Sequence, residues 1–118
     1  GEFNTASGYQ MMKDLLCAEQ LPTAVFAASD AIAFGAMKAI QEKGLSIPED
    51  ISVIGFNDTE MGAYTSPALT TIHAPAYDMG QHGANLSYVA SNLSITTPLK
   101  VKIPCYLVKR ESCCACTK

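Results

Sequence analysis

Two patterns of apolar residues alternate along this chain. In the first, apolar side chains recur at helical spacing, as at Tyr9, Met12, Leu15 and Leu16, and this predicts amphipathic helices. In the second, short runs of apolar and β-branched residues such as ISVIGF stand between turn signals, which predicts strands buried on both faces. The predicted elements are, in chain order, helix 6–18, strand 23–29, helix 30–43, strand 51–56, strand 69–75, helix 76–91 and extended segments within 99–110.

The helix predicted over 30–43 has the clearest boundaries. Ser29 or Asp30 is a favourable N-cap, and Gly44 is a favourable stop after the last turn. Gly35 lies in the middle of this helix, where glycine costs about 1 kcal/mol relative to alanine. We therefore expect a neighbouring element to approach the helix closely at Gly35.

The alternation of helices and strands predicts an α/β fold with a largely parallel sheet. The 118 residues suffice for one domain of ordinary size, and 48% hydrophobic with 16% charged residues suits a packed core. The formal net charge is −3 and the basic residues are scattered, which argues against a nucleic-acid-binding face. No apolar run approaches the length of a membrane span.

The cysteines do not form a recognisable metal or disulfide framework. Three of the five lie in the last six residues, where Cys113 and Cys116 have C-x-x-C spacing, but no second pair or nearby histidine completes a zinc site. We read residues 111–118 as a flexible tail and predict no metal or cofactor. The odd number of cysteines favours a reducing compartment and hence a cytoplasmic location.

Polar residues follow two of the predicted strands. Ser29 and Asp30 come after the first strand, and Asn57 and Asp58 come after the second. Ligands of open parallel sheets bind outside the carboxyl ends of the strands, so these side chains are candidates for a polyol site, with Phe3 covering the C–H side of the ligand. The alternative is local structure, in which Asp30 caps a helix and Asn57–Asp58 forms a turn.

The sequence contains no recognisable catalytic motif, and we expect the protein not to be an enzyme. The chain has no G-x-S-x-G elbow, no P-loop and no G-x-G-x-x-G motif. His73 falls in a predicted strand and His82 on a predicted helix, and neither has an evident nucleophile as a partner.

Three segments occur in a fixed order along the chain: PTAVFAASDAIAFGAMKAIQEKGLSIPEDISVIGFND, YTSPALTTIHAP and LVKRESC. Together they closely resemble the effector-binding core of the LacI/GalR family of bacterial transcriptional regulators. The resemblance covers about residues 1–110 and implies part of a periplasmic-binding-protein-like fold, with a Rossmann-like parallel sheet and helices on both faces. It implies that 1–72 belong to the C-terminal lobe and that 73–110 form a crossover, a helix and a return strand. The helix-turn-helix head that binds operator DNA in this family is absent from this chain.

The resemblance also implies roles for individual ligand-binding residues. Phe3 matches an aromatic residue that stacks on the effector, and Ser29 and Asp30 match a polar pair that contacts its hydroxyls. Asn57 matches a ligand-binding position that is usually Asp in the family, and an amide can donate as well as accept. Ala74 falls where some members have a polar contact, which is a second departure from the family pattern.

Phe34 and Tyr64 match positions in the subunit interface of the family, although both are also plausible core residues. The resemblance therefore implies a homodimer whose effector, a sugar or sugar derivative, shifts the placement of DNA-binding heads. Two alternatives remain open: a periplasmic-type sugar-binding protein that serves a transporter, and a truncated dimerisation module that binds no ligand. Because the helix over 76–91 would pack on a sheet absent from this chain, we also expect exposed apolar surface.

Overall fold

The computed structural model describes residues 2–94 and 96–116. Its helices are α1 (Thr5–Leu15), α2 (Asp30–Glu42) and α3 (Ala76–Leu93), its strands are β1 (Ala24–Phe26), β2 (Ser52–Phe56), β3 (Thr70–His73) and β4 (Tyr106–Val108), and a 3₁₀ turn covers Glu60–Ala63. All the predicted helices and strands are present, with shorter strands than the apolar runs suggested.

The four strands form one sheet in the order β1-β2-β3-β4. β1 pairs in parallel with β2, and β2 pairs in parallel with β3, so that Ala24 lies opposite Ser52 and Ile54 lies opposite Thr70. The predicted α/β class with a parallel sheet is therefore confirmed. Because β1, β2 and β3 run in the same direction, their carboxyl ends lie along one edge of the sheet.

The chain divides into two compact units. One unit runs to His73 and resumes at Leu107, and the other is Ala74–Tyr106. The core of the first unit contains apolar side chains from α1, α2 and the sheet, among them Met12, Ile40 and Val53. In the second unit, α3 has no buried residue, and its side chains Tyr77, Tyr88 and Leu93 are largely exposed.

Helices α1 and α2 touch at two glycines. A Cβ atom on Gly35 would lie 2.0 Å from the carbonyl oxygen of Thr5, and a Cβ atom on Gly8 would lie 2.1 Å from that of Ile32. Both distances are far below van der Waals contact, so only glycine allows the helices to approach this closely. The close neighbour expected at Gly35 is thus α1.

The ends of α2 follow the sequence prediction. The Ile32 N–H donates to Ser29 Oγ at 3.3 Å, which identifies Ser29 as the N-cap. Gly44 has φ +81°, the left-handed conformation that favours glycine after a helix. The Leu45 N–H then donates to the Ile40 carbonyl at 3.2 Å and closes the last turn.

The C-terminal segment packs on the sheet as far as Cys114, which corrects the prediction of a flexible tail from residue 111. Ser112 is fully buried, and its hydroxyl accepts from the Thr70 N–H at 2.8 Å and donates to the Val53 carbonyl at 2.6 Å. The Val53 N–H donates in turn to the Ser112 carbonyl at 2.8 Å. The segment is ordered because it satisfies backbone groups of β2 and β3. The last two residues lie outside the described part of the chain.

Within residues 2–94 and 96–116, no helix has the length and apolar character that crossing a membrane requires.

Candidate functional site

Three of the predicted ligand-binding residues lie at the carboxyl edge of the sheet. Ser29 and Asp30 begin α2 just after β1, and Asn57 follows β2 directly. The loop after β2 is tied to β3, because the Asn57 N–H donates to the Ile72 carbonyl at 2.9 Å. The parallel topology therefore brings the two predicted pairs of polar residues to the same edge.

The buried carboxylate of Asp30 links α2 to the loop after β2 and to β3. It is fully buried, and its Oδ2 accepts from the backbone N–H of Thr59 at 2.6 Å and from the Thr59 hydroxyl at 3.0 Å. Its Oδ1 accepts from the Thr71 hydroxyl at 2.6 Å. A Cβ atom on Gly55 would lie 2.2 Å from Oδ1, so glycine makes room for the carboxylate. Three protein donors occupy this carboxylate, which has no exposed surface, and the predicted ligand contact of Asp30 remains a prediction.

Ser29 is buried, and its oxygen accepts from the Ile32 N–H. The alternative in which a polar residue here caps a helix is therefore realised at Ser29. The cap uses the hydroxyl as an acceptor and leaves its hydrogen able to bond to another group.

Asn57 is exposed and has an unusual backbone conformation. Its φ is +111°, and the next residue, Asp58, has φ +58°. Two consecutive non-glycine residues with positive φ store strain that the surrounding contacts must hold. The result is an amide side chain presented to solvent at the carboxyl end of β2.

Asp58 is the centre of a charged cluster that sequence reasoning missed. Arg110 Nη2 lies 2.7 Å from Asp58 Oδ1, and His73 Nδ1 lies 2.9 Å from Asp58 Oδ2. Partial burial acts to raise the pKa of Asp58, but the hydrogen bonds to His73 and Arg110 and the positive charge of Arg110 outweigh it, so that the pKa lies below its ordinary value. The sequence placed Asp58 after one strand and His73 in another, but residue spacing did not indicate their contact or the contact with Arg110.

Four other residues that the resemblance singled out differ in their surroundings. Phe3 is 72% exposed, and its ring is available for stacking on a ligand. Phe34 is half-buried and packs against the core, whereas Tyr64, just after the 3₁₀ turn, is 76% exposed. Ala74 is half-buried directly after β3. The ligand-binding role of Phe3 and the interface roles of Phe34 and Tyr64 remain predictions.

The described residues offer no metal centre. Between residues 2 and 116, leaving out residue 95, no three His, Cys, Asp or Glu side chains are grouped so that they could hold a metal ion.

The parallel sheet has an exposed amide and a capped helix at its carboxyl edge, which is where open α/β sheets bind their ligands. Residues 1–113 match the family described as periplasmic binding protein-like domain, and the chain belongs to this family. It is 39% identical over 117 residues to the HTH-type transcriptional repressor MelR of Bacillus subtilis (strain 168), a match that covers 99% of this chain and 33% of the relative. The chain thus spans about a third of this curated relative.

Solved structures of LacI-family regulators have the same fold. The lac repressor dimer bound to operator and the anti-inducer ONPF has a TM-score of 0.90 and 36% identity, covering 98% of this chain and 40% of that one. A LacI family transcriptional regulator from Enterococcus faecium with bound ribose has a TM-score of 0.83 and 36% identity, covering 95% and 41%. The predicted resemblance to LacI-family repressors and the periplasmic-binding-protein-like fold are confirmed.

Proposed function

We propose that this chain is the effector-binding part of a LacI-family transcriptional repressor that senses a small sugar or sugar derivative. The observation that carries the proposal is the exposed Asn57 amide at the carboxyl edge of the sheet, in a chain 36% identical to a regulator with ribose bound. An edge of this kind is where ligands of open α/β sheets bind.

The chemistry of the edge suits a polyol. The Asn57 amide offers one acceptor oxygen and two donor hydrogens to neighbouring hydroxyls, and the Ser29 hydroxyl hydrogen offers a further donor. The exposed Phe3 ring offers an apolar face for the C–H side of a sugar. Asp30 contributes indirectly, since it fixes the loop that carries Asn57 through Thr59.

The proposed mechanism is allosteric and involves no chemical step. An effector that binds two arrangements of the protein with different affinities shifts their populations, and in a repressor this changes how DNA-binding heads are placed. DNA contact belongs to a head outside this chain, and the proposed location is the cytoplasm. The periplasmic transport alternative is less favoured, because MelR and the lac repressor are both named as repressors.

The ligand site can be tested with Asn57→Ala and Phe3→Ala. A hydrogen bond to a ligand hydroxyl contributes about 1 kcal/mol or more, so we expect Asn57→Ala to weaken binding of a responding sugar by about tenfold or more. Isothermal titration calorimetry with ribose and a panel of mono- and disaccharides measures the affinity. Asn85→Ala, which removes an exposed amide from α3, is the matched control and should bind as the wild type does. Unchanged affinity in both Asn57→Ala and Phe3→Ala would refute the site.

We further propose that Tyr64 and Phe34 lie in a homodimer interface. Since Tyr64 is 76% exposed, Tyr64→Glu should leave the fold intact and shift the dimer–monomer equilibrium toward monomer. Sedimentation velocity over a range of protein concentrations measures the shift, and Tyr77→Glu, on the equally exposed Tyr77 of α3, serves as the control. A sedimentation profile that Tyr64→Glu does not change would exclude Tyr64 from the interface. Phe34→Glu is a weaker test, because Phe34 also packs against the core.

A further inference from the structure

Three ionisable side chains from distant parts of the sequence meet beside Asn57. Asp58 follows β2, His73 ends β3, and Arg110 lies two residues beyond the end of β4. The Asp58 carboxylate contacts Arg110 Nη2 at 2.7 Å through one oxygen and His73 Nδ1 at 2.9 Å through the other. The side chains of Asp58, His73 and Arg110 are 17%, 31% and 20% exposed, so solvent screens these contacts only in part. We call these three residues the Asp58 clamp.

Arg110 is a fixed anchor for the clamp. Its Nη1 donates to the Leu69 carbonyl at 2.8 Å, and its backbone N–H donates to the Thr70 hydroxyl at 3.0 Å. The guanidinium is therefore held between the start of β3 and the Asp58 carboxylate. A planar guanidinium held in this way restricts the position of a carboxylate more than a flexible ammonium does.

The backbone at Asn57 and Asp58 needs such a restraint. Both residues have positive φ, and such conformations cost about 1–3 kcal/mol each and persist only where surrounding contacts impose them. On one side of the pair, the Asn57 N–H bonds to the Ile72 carbonyl. On the other side, Thr59 is bonded to Asp30. The clamp restrains the side chain between these two attachments.

We propose that Asp58 is a positioning residue, whose clamp holds the strained Asn57–Asp58 turn in the conformation that presents the Asn57 amide to the effector. The clamp also connects this turn to both places where the chain crosses between the two units. His73 is the last residue before the chain leaves the first unit, and Arg110 lies three residues after the chain re-enters it at Leu107. The ligand role of Asn57 rests on the proposed function, whereas the clamp itself does not.

Amide hydrogen exchange measured by NMR on the full chain tests the clamp without any ligand. Asp58→Ala should lower the protection of the Asn57 backbone N–H, which bonds to the Ile72 carbonyl, by about tenfold or more. The Ala27 amide, which bonds to the Ile54 carbonyl at 2.8 Å at the end of β1, is the internal reference and should keep its protection within about twofold. Asp58→Asn, which keeps an acceptor for Arg110, should give an intermediate loss. Equal losses of protection at Asn57 and Ala27 would indicate general destabilisation and would overturn the proposal. Unchanged protection at Asn57 would overturn it as well.

Two further readouts keep the test decisive if Asp58→Ala does not fold. The pKa of Asp58, followed through its carboxyl carbon, should lie below the ordinary aspartate value in the wild type and rise in Arg110→Gln. Arg110→Lys should restore part of the Asn57 protection that Arg110→Gln loses. An Asp58 pKa that Arg110→Gln does not change would overturn the clamp. If ribose and the other sugars fail to bind the wild type, the proposed function fails while these readouts still decide on the clamp.

Discussion

Replacement of Asp30 with alanine is expected to lower the free energy of unfolding by about 4 kcal/mol, since it removes a fully buried carboxylate and leaves three donors without their acceptor. The donors are the backbone N–H and the hydroxyl of Thr59 and the hydroxyl of Thr71. Because Asp30 has no exposed surface, water cannot take its place without rearrangement of the protein. The same change should release the loop after β2, so that the loss of stability accompanies a loss of order at Asn57.

Two control variants separate this effect from a general loss of charge. Asp30→Asn keeps one oxygen for Thr59, and the Thr71 hydroxyl can turn to accept from the new amide, so we expect a loss of only about 2 kcal/mol. Asp14→Ala removes an exposed carboxylate from α1 and should change stability by less than about 0.5 kcal/mol. Urea unfolding followed by circular dichroism measures all three variants. An Asp30→Ala protein as stable as the wild type would contradict the buried network.

The second large effect is expected at the contact between α1 and α2. Gly35→Ala should lower the free energy of unfolding by about 2–3 kcal/mol, because the added methyl group overpacks the contact. The new Cβ would lie 2.0 Å from the Thr5 carbonyl oxygen and 2.5 Å from the Tyr9 nitrogen. Both atoms belong to the backbone of α1, so the helices must move apart. This cost exceeds the gain of about 1 kcal/mol that alanine brings to a helix interior.

Gly83→Ala is the matched control for this prediction. Gly83 also lies inside a helix, but a Cβ atom there would meet no heavy atom within 4 Å. We therefore expect Gly83→Ala to be neutral or to stabilise the protein by up to about 1 kcal/mol. Thermal unfolding of both variants decides the matter, and a Gly35→Ala protein at least as stable as the wild type would show that α1 and α2 do not meet at this glycine.

The fold could be predicted from the sequence because its signals are local. The spacing of Tyr9, Met12 and Leu16 predicts a helix without reference to the rest of the chain. The cap at Ser29 and the stop at Gly44 depend only on adjacent residues, and both are present. Gly35 indicated a close neighbour, although its identity as α1 depends on tertiary packing.

The interior of the site could not be predicted in the same way. The sequence places Asp30 at the carboxyl edge of a strand but does not indicate whether its carboxylate points to solvent or to Thr59 and Thr71, which lie 29 and 41 residues away. Arg110 reaches Asp58 across 52 residues, and no local pattern records such a contact. In the sequence, Ser112 lies in what looks like a loose cysteine-rich tail, whereas the structure buries it against the sheet. Each case depends on long-range packing that residue spacing does not encode.

The most direct test of the central claim, that the carboxyl edge of this sheet binds a sugar-like effector, is an NMR titration of the ¹⁵N-labelled chain with ribose and the other sugars of the panel. We predict saturable shift changes for at least one sugar, largest at the backbone amides of Ser29, Asn57 and Thr59 and small at core amides such as Ile40 and Leu69. Saturable shifts confined to α3, or no saturable shift with any sugar, would contradict it.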